Sequence, residues 1–211
     1  MPRAHVRVAN VQGDLVLLDL ATDDYLCLSR HDAAPVWPAL RAKGSDGPVL
    51  QELVAAHLMQ QVPSTSTPWA ASPPSTAVDM PAGVQARVRA GDVAAMAVAT
   101  LKTLWDLSGR GSRRWLKAVA RPAKEASVSD AAVFEIATRF QHMRCFFPRT
   151  GRCFVHSAML RYVLESHAIG CKWVFGVQTH PFEAHCWVEA RGAVLNDSAE
   201  HINWYTVIAR F

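Results

Sequence analysis

Between Gln61 and Pro81 the sequence runs QVPSTSTPWAASPPSTAVDMP, which holds five of the chain's twelve prolines, many Ser and Thr, and one charge, Asp79. Such a stretch offers no hydrophobic period to bury and reads as an extended linker. The 211-residue chain is therefore expected to fold as two modules, residues 1–62 and 84–211, joined by 63–83. Half of the residues are apolar and 19% are charged, which excludes wholesale disorder. Apolar runs stay well short of about 18 residues, so no membrane span is expected. The first residues, MPRAHVRVAN, lack the apolar core of a secretory signal, and a cytoplasmic protein is the expectation.

The net charge is +4, and the basic residues are dispersed except for Arg110, Arg113, Arg114, Lys117, Arg121 and Lys124. At helical spacing that cluster reads as a solvated face, and no nucleic-acid partner is expected. The five cysteines form no Cys-x-x-Cys pair, which speaks against a disulfide framework. Cys153 and His156 are three apart, but no second pair at finger-like spacing follows, so no metal is expected.

In the first module, His5–Ala9, Asp14–Leu20 and Asp23–Leu28 are aliphatic and β-branched runs separated by Gln12-Gly13 and Thr22-Asp23, the pattern of a three-stranded meander. Ser29 is a suitable N-cap for a helix carrying Ala33, Val36, Trp37 and Leu40 on one face, with Pro38 expected to kink or end it. A second helix places Val49, Leu50, Leu53, Val54, His57 and Leu58 at helical spacing.

The second module opens with a helix whose stripe is Val93, Met96, Ala97, Thr100, Leu101, Leu104 and Leu107. Another is expected after the box Ser127-Val128-Ser129-Asp130, with Val133, Phe134, Ala137 and Phe140 inward. A third spans Cys153–Ser166 and stops near Gly170. Three strands follow, Trp173–Gln178, Ala184–Glu189 and Ala193–Asp197. Helices followed by an antiparallel sheet make the fold class α+β.

Cys153 falls at a helix start, where unpaired N–H groups and the helix dipole favour a thiolate. His185 lies on the next-to-last strand and Asp197 ends the last, so nucleophile, base and orienting carboxylate follow in the order Cys, His, Asp. Most proteins of this size contain such an order, and an inert core Cys with a structural His is the competing reading. Cys171 and Cys186 lie in or beside strands, and His156 points along the same helix as Cys153. If Ala190-Arg191-Gly192 form a three-residue loop, the pairing sum is 382 and His185 lies opposite Asp197. A two-residue loop, Arg191-Gly192, would sum to 383 and place Asp197 opposite Cys186; because three-residue loops commonly end in a residue at positive φ and Gly192 is the glycine available there, the three-residue loop is expected.

The stretch CFVHSAMLRYVLESHAIGCKWVFGVQTHPFEAHCWVEARGAVLND resembles the C-terminal peptidase domain of lasso-peptide biosynthesis B proteins. The elements that carry the resemblance are Cys153, Ser157, Leu160, Leu164, Gly170, Gly176-Val177, Pro181-Phe182, His185-Cys186-Trp187-Val188-Glu189 and Asn196-Asp197. The departure is Cys186, where a small Ala is commoner. DLVLLDLATDDYLCLSRHDAAPVWPAL and LQELVAAHL resemble the other half of a fused B protein, a winged-helix-like recognition element for ribosomal precursor peptides. The resemblance implies a transglutaminase- or papain-like cysteine peptidase with Cys153, His185 and Asp197 as catalytic residues and no cofactor. It further implies that a precursor leader pairs with the edge strand at Tyr25, Leu26, Cys27 and Leu28. Leu50, Leu53, Val54 and His57 would line the adjoining groove. The implied partners are the precursor peptide and an asparagine-synthetase-like cyclase that consumes ATP; nothing in this chain resembles an ATP site. Acyl transfer to an amine and a non-catalytic precursor-binding chaperone are the rival readings.

Overall fold

The computed structural model describes residues 2–22, 24–41, 47–60, 70–107, 128–146 and 152–211. Asp23, residues 63–69 of the expected linker, the basic cluster from Arg110 to Lys124, Ser127, and Thr150-Gly151 lie outside them. The chain divides into two compact units. One is Met1–Pro74 with Val177–Glu183 and Thr206–Ala209; the other is Ser75–Gly176 with Ala184–Tyr205 and Arg210–Phe211.

The first unit contains the expected meander, β1 (Val6–Val11), β2 (Asp14–Asp19) and β3 (Asp24–Leu28), in the order β1-β2-β3. The first hairpin pairs Val11 with Asp14 across Gln12 and Gly13, both at positive φ (53° and 104°), the geometry whose twist suits a two-residue hairpin loop. Asn10 Oδ1 accepts the Gly13 N–H at 2.8 Å and holds that turn. Alternation puts Val6, Val8, Leu15 and Leu17 in one core with Ala33, Val36, Leu40, Leu53 and Met59.

Ser29 caps α1 (Arg30–Ala33) by accepting the Asp32 N–H. The helical stretch breaks at Pro35 and restarts as α2 (Val36–Arg41). The expected break at Pro38 is thus corrected. Pro38 falls in the first turn of α2, where its missing N–H removes no intrahelical bond, whereas Pro35 would have needed a bond to the turn before it. Three helical pieces rather than two therefore follow the meander, the third being α3 (Pro48–Ala55), with Pro48 at its first position.

In the second unit, α4 (Ala90–Leu107) packs on α6 (Arg152–Ser166), with α5 (Asp130–Met143) against both. The stripe expected for α4 is corrected. Its buried residues are Met96, Ala99 and Thr103, while Val93, Leu101 and Leu104 are exposed. Ala and Val surround this helix, so the period cannot choose a face, and small Ala99 and Thr103 allow the closer approach. Ser129, not Ser127, caps α5 by accepting the Ala132 N–H, and Val133, Ile136, Ala137, Phe140 and Met143 are buried.

The third helix, α6, ends at Ser166 as expected, but its stop is not Gly170. Ala168 takes φ +55°, its N–H bonds the Glu165 carbonyl, and the Ile169 N–H bonds that of Leu164. This paired closure of the last turn usually has glycine at the left-handed position. Gly170 lies beyond it.

The sheet of β4 (Val78–Asp79), β5 (Lys172–Gln178), β6 (Glu183–Ala190), β7 (Ala193–Val194) and β8 (Thr206–Arg210) has the order β4-β7-β6-β5-β8. It is mixed rather than purely antiparallel, because β4 runs parallel to β7. Residues 75–79, within the stretch read as linker, contribute that edge strand, and Ser75 Oγ donates to Glu189 at 2.6 Å. The last expected strand, Ala193–Asp197, is cut to two residues. A short helix α7 (Ala199–Ile202) and β8, neither of them expected, complete the chain. Among the described residues no helix is long and apolar enough to cross a membrane.

Candidate active site

Cys153 is the second residue of α6 and is half-buried. One turn on, Ser157 Oγ donates to the Cys186 carbonyl at 3.1 Å and ties this turn to β6. The Cys153 sulfur is hydrogen-bonded by the Cys186 thiol, by the His185 imidazole and by the Cys186 backbone N–H. His185 Nε2 is bonded to Asp197 Oδ2, which leaves Nδ1 for the sulfur. The structure thus brings together Cys153, His185 and Asp197.

The β6–β7 turn is nevertheless the one expected to prevent this. Glu189 pairs with Val194 and Ala190 with Ala193, a sum of 383, with Arg191 and Gly192 both at positive φ (54° and 75°). The expected three-residue loop is corrected to two residues. Asp197 escapes the consequence because the ladder stops first. The Leu195 N–H bonds the Val188 carbonyl at 2.9 Å, but the Val188 N–H goes to Asn196 Oδ1 at 2.8 Å. The Leu195 carbonyl accepts from Gln141 Nε2, also at 2.8 Å. Two side-chain amides replace the missing rung, the strand peels away, and Asp197 is free of its register.

The electrostatics follow from these bonds. The Cys186 thiol, and then His185, hold the Cys153 thiol down at about 4 against the upward push of burial. For His185, burial pushes downward and is outweighed by the bonds to Asp197 and Cys153, which raise it to about 9. Burial raises Asp197 too, yet His185, His201 and the Ser198 N–H lower it to about 2. Near neutrality the group is a thiolate beside an imidazolium beside a carboxylate. Burial, ahead of the opposing charges of Arg161 and Glu165, moves Cys171 the other way, to about 11, and burial followed by the neighbouring Cys153 pushes Cys186 well above the ordinary thiol.

His201 was not anticipated. Its Nδ1 lies 2.9 Å from Asp197 Oδ1 and 3.0 Å from Oδ2, on a helix whose N-cap, Ser198, accepts the His201 N–H. Reading 193–197 as a full strand hid the signal, which is Asp197 followed four residues later by His201 behind a capping Ser. Among the described residues, His185, Asp197 and His201 also have ligand atoms within 4.8 Å of one another. Those atoms already pair with each other, so the arrangement suits proton chemistry better than a cation. His156 is not in this group. The Gln141 amide is spent on the Leu195 carbonyl, and Arg144 is exposed in the turn after α5.

Trp187 stacks beside His185, centroids 6.0 Å apart and planes at 24°, and Tyr205 lies 5.0 Å from the same ring. Gly176 faces both: a Cβ there would sit 2.7 Å from the Tyr205 Cβ and 2.9 Å from the Trp187 ring.

In the first unit, Tyr25, Leu26, Cys27 and Leu28 lie on β3, at the edge of the meander, with Leu26 and Cys27 exposed. Leu50 and Val54 are partly buried on α3, and Leu53 is fully in the core. His57 lies past the end of α3 at φ +60°, so the helix does not continue through it as expected.

The family model of the transglutaminase-like superfamily matches residues 95–210, more than half of the chain. The chain belongs to the transglutaminase-like superfamily. The match takes in Cys153, His185 and Asp197. The microcin J25-processing protein McjB of Escherichia coli is 40% identical to this chain over 57 residues. That is 27% of either sequence, so the matched stretch spans about a quarter of the relative. No solved structure matches the chain.

Proposed function

We propose that this transglutaminase-like protein is the leader peptidase of a lasso-peptide pathway, binding a ribosomal precursor and hydrolysing the peptide bond between leader and core. The observation that carries the reading is the Cys153 thiol bonded to a His185 imidazole that is itself held by Asp197. The partial identity with a microcin-processing protein supports the substrate class.

Cys153 attacks the carbonyl carbon of the scissile amide, and the oxyanion is met by first-turn N–H groups of α6. The imidazolium of His185 gives its proton to the departing amine, which becomes the N-terminus of the core. Water, deprotonated by the now neutral imidazole, hydrolyses the thioester and frees the leader as a carboxylate. Asp197 holds the ring in one tautomer throughout. The leader backbone adds to the meander along Tyr25–Leu28, beside Leu50, Leu53, Val54 and His57, so that docking raises the local concentration of the scissile bond. The core passes to an asparagine-synthetase-like cyclase in the cytoplasm.

The test is to mix the protein with its precursor peptide and weigh the products. Two fragments summing to the precursor plus one water, absent with Cys153→Ala, are expected. A leader recovered as an amide would make the protein an acyltransferase; tight leader binding without any mass change would make it a chaperone.

A further inference from the structure

The carboxylate of Asp197 has two imidazoles on it, and the mechanism above uses one. Asp197 stands three residues beyond the end of β7, so no ladder bond fixes its backbone. Its side chain is held by the Ser198 N–H on Oδ1 at 2.8 Å, by His185 on Oδ2, and by His201 Nδ1 on both oxygens. An ionised carboxylate only accepts hydrogen bonds, so each ring nitrogen facing it must carry a proton. Nδ1 of His201 therefore carries a proton, and its Nε2 lies 3.4 Å from the Tyr205 hydroxyl. The spacing 197, 201, 205 lines these groups along one side of α7 and the turn after it. The His201 ring is walled by His185 at 4.9 Å and edge-on by Trp204 at 5.2 Å.

We infer that His201 is a positioning residue of the active site: through Nδ1–H it aims the Asp197 carboxylate at His185, with the Tyr205 hydroxyl beside its other ring nitrogen. The inference rests on the triad reading above. Ser198 reaches one oxygen only, so without His201 the carboxylate can turn about its last torsion and the bond to His185 loosens. His185 then holds its proton less firmly, and the thiolate it stabilises becomes scarcer.

Two substitutions separate this from a packing role. The amide nitrogen of Asn reaches about as far along the side chain as Nδ1 does, whereas that of Gln stands nearer Nε2. Asn therefore keeps the donor that faces Asp197, and Gln does not. Alkylation of Cys153 by iodoacetamide, followed against pH by peptide mass mapping of the full-length protein, reports the thiolate without any peptide substrate. His201→Ala and His201→Gln are expected to move the Cys153 midpoint upward by about one pH unit. They should lower turnover of the precursor about tenfold or more with KM little changed, the loss expected when a catalytic group is misplaced. His201→Asn should stay within about threefold of the wild type, by the same geometric argument. An unchanged midpoint in His201→Ala overturns the inference, as does Asn behaving like Gln, which also decides the matter should the Ala variant not fold. A wild-type protein whose Cys153 alkylates only with the midpoint of an ordinary thiol would instead sink the triad reading itself.

Discussion

Val188 and Leu195 exchange one hydrogen bond where a regular antiparallel pair exchanges two. Asn196 takes the freed N–H and Gln141 the freed carbonyl, and Asn196 Nδ2 reaches on to Ser157 Oγ at 2.9 Å. Ser157 lies on the helix that begins with the nucleophile, so the broken rung ties α5, α6 and β6 together at the point where Asp197 leaves the sheet.

Replacing Asn196 with Ala should therefore cost more activity than stability. Leaving the Val188 N–H without its partner costs about 1–3 kcal/mol, which calorimetry reads as a Tm lowered by several degrees in a chain of this length. Precursor cleavage should fall about a hundredfold or more, because the segment that carries Asp197 loses its anchors on Val188 and Ser157 and the carboxylate drifts from His185. Cleavage that declines only in proportion to the folded fraction would contradict this account.

The pH behaviour follows from the two shifted groups. Below about 4 the Cys153 sulfur takes a proton and the nucleophile disappears; above about 9 His185 has lost the proton it must give to the leaving amine. Hydrolysis should be bell-shaped between these limits. Alkylation, which needs only the thiolate, should rise through the lower limit and stay high above the upper one. Cys186→Ala removes the foremost bond holding the thiolate and should shift the lower limit upward. A single alkylation step near 8.5, the position of an isolated thiol, would show that no ion pair forms.

Docking on the meander edge is separable from chemistry. Cys27→Pro removes a backbone donor that faces away from β2, since Val16 opposite it spends its own backbone groups on Ala9, and should weaken leader binding, read by fluorescence anisotropy, about tenfold or more. The Cys153 alkylation rate should not change, and cleavage should recover at high peptide concentration. Unaltered leader affinity in a folded Cys27→Pro protein would move the docking surface elsewhere.

Ala168→Gly is expected to stabilise the protein. The left-handed conformation at φ +55° costs an L-residue roughly 1–2 kcal/mol that glycine escapes. Tm should rise by about 2–4 °C, with the larger freedom of glycine in the unfolded chain limiting the gain. A lower Tm would mean that the Ala168 methyl contributes more by packing than its backbone loses.

Local chemistry was readable wherever a single residue decides it. Ser29 as a cap, Gln12-Gly13 as a turn and the helix start at Cys153 all belong to that kind, whereas the bond between His185 and Asp197 is present although the register that was to bring it about is not. What could not be read depends on comparisons between neighbours. Pro35 and Pro38 are equivalent until the first residue of α2 is known. The α4 faces are all apolar, so which one is buried is decided by the small residues opposite α6. The β6–β7 register was misjudged because Gly192 suits both loop lengths, and no pattern announces that Asn196 and Gln141 will stand in for backbone. The strand β8, five residues long, has ordinary strand composition and lies beyond the three strands expected.

Gly176 shapes the site by what it withholds. The single hydrogen it presents to Trp187 and Tyr205 lets both rings come to rest beside His185. Strand β5 thereby exerts a mechanical influence on the imidazole without contributing a polar atom to it. A methyl group at this position would have to move the indole or the tyrosine backbone, and either motion would be handed on as a tilt of the ring that carries the proton. The tolerance of the catalytic apparatus is thus set on its concealed side, where a gap of one carbon atom keeps two aromatic walls upright.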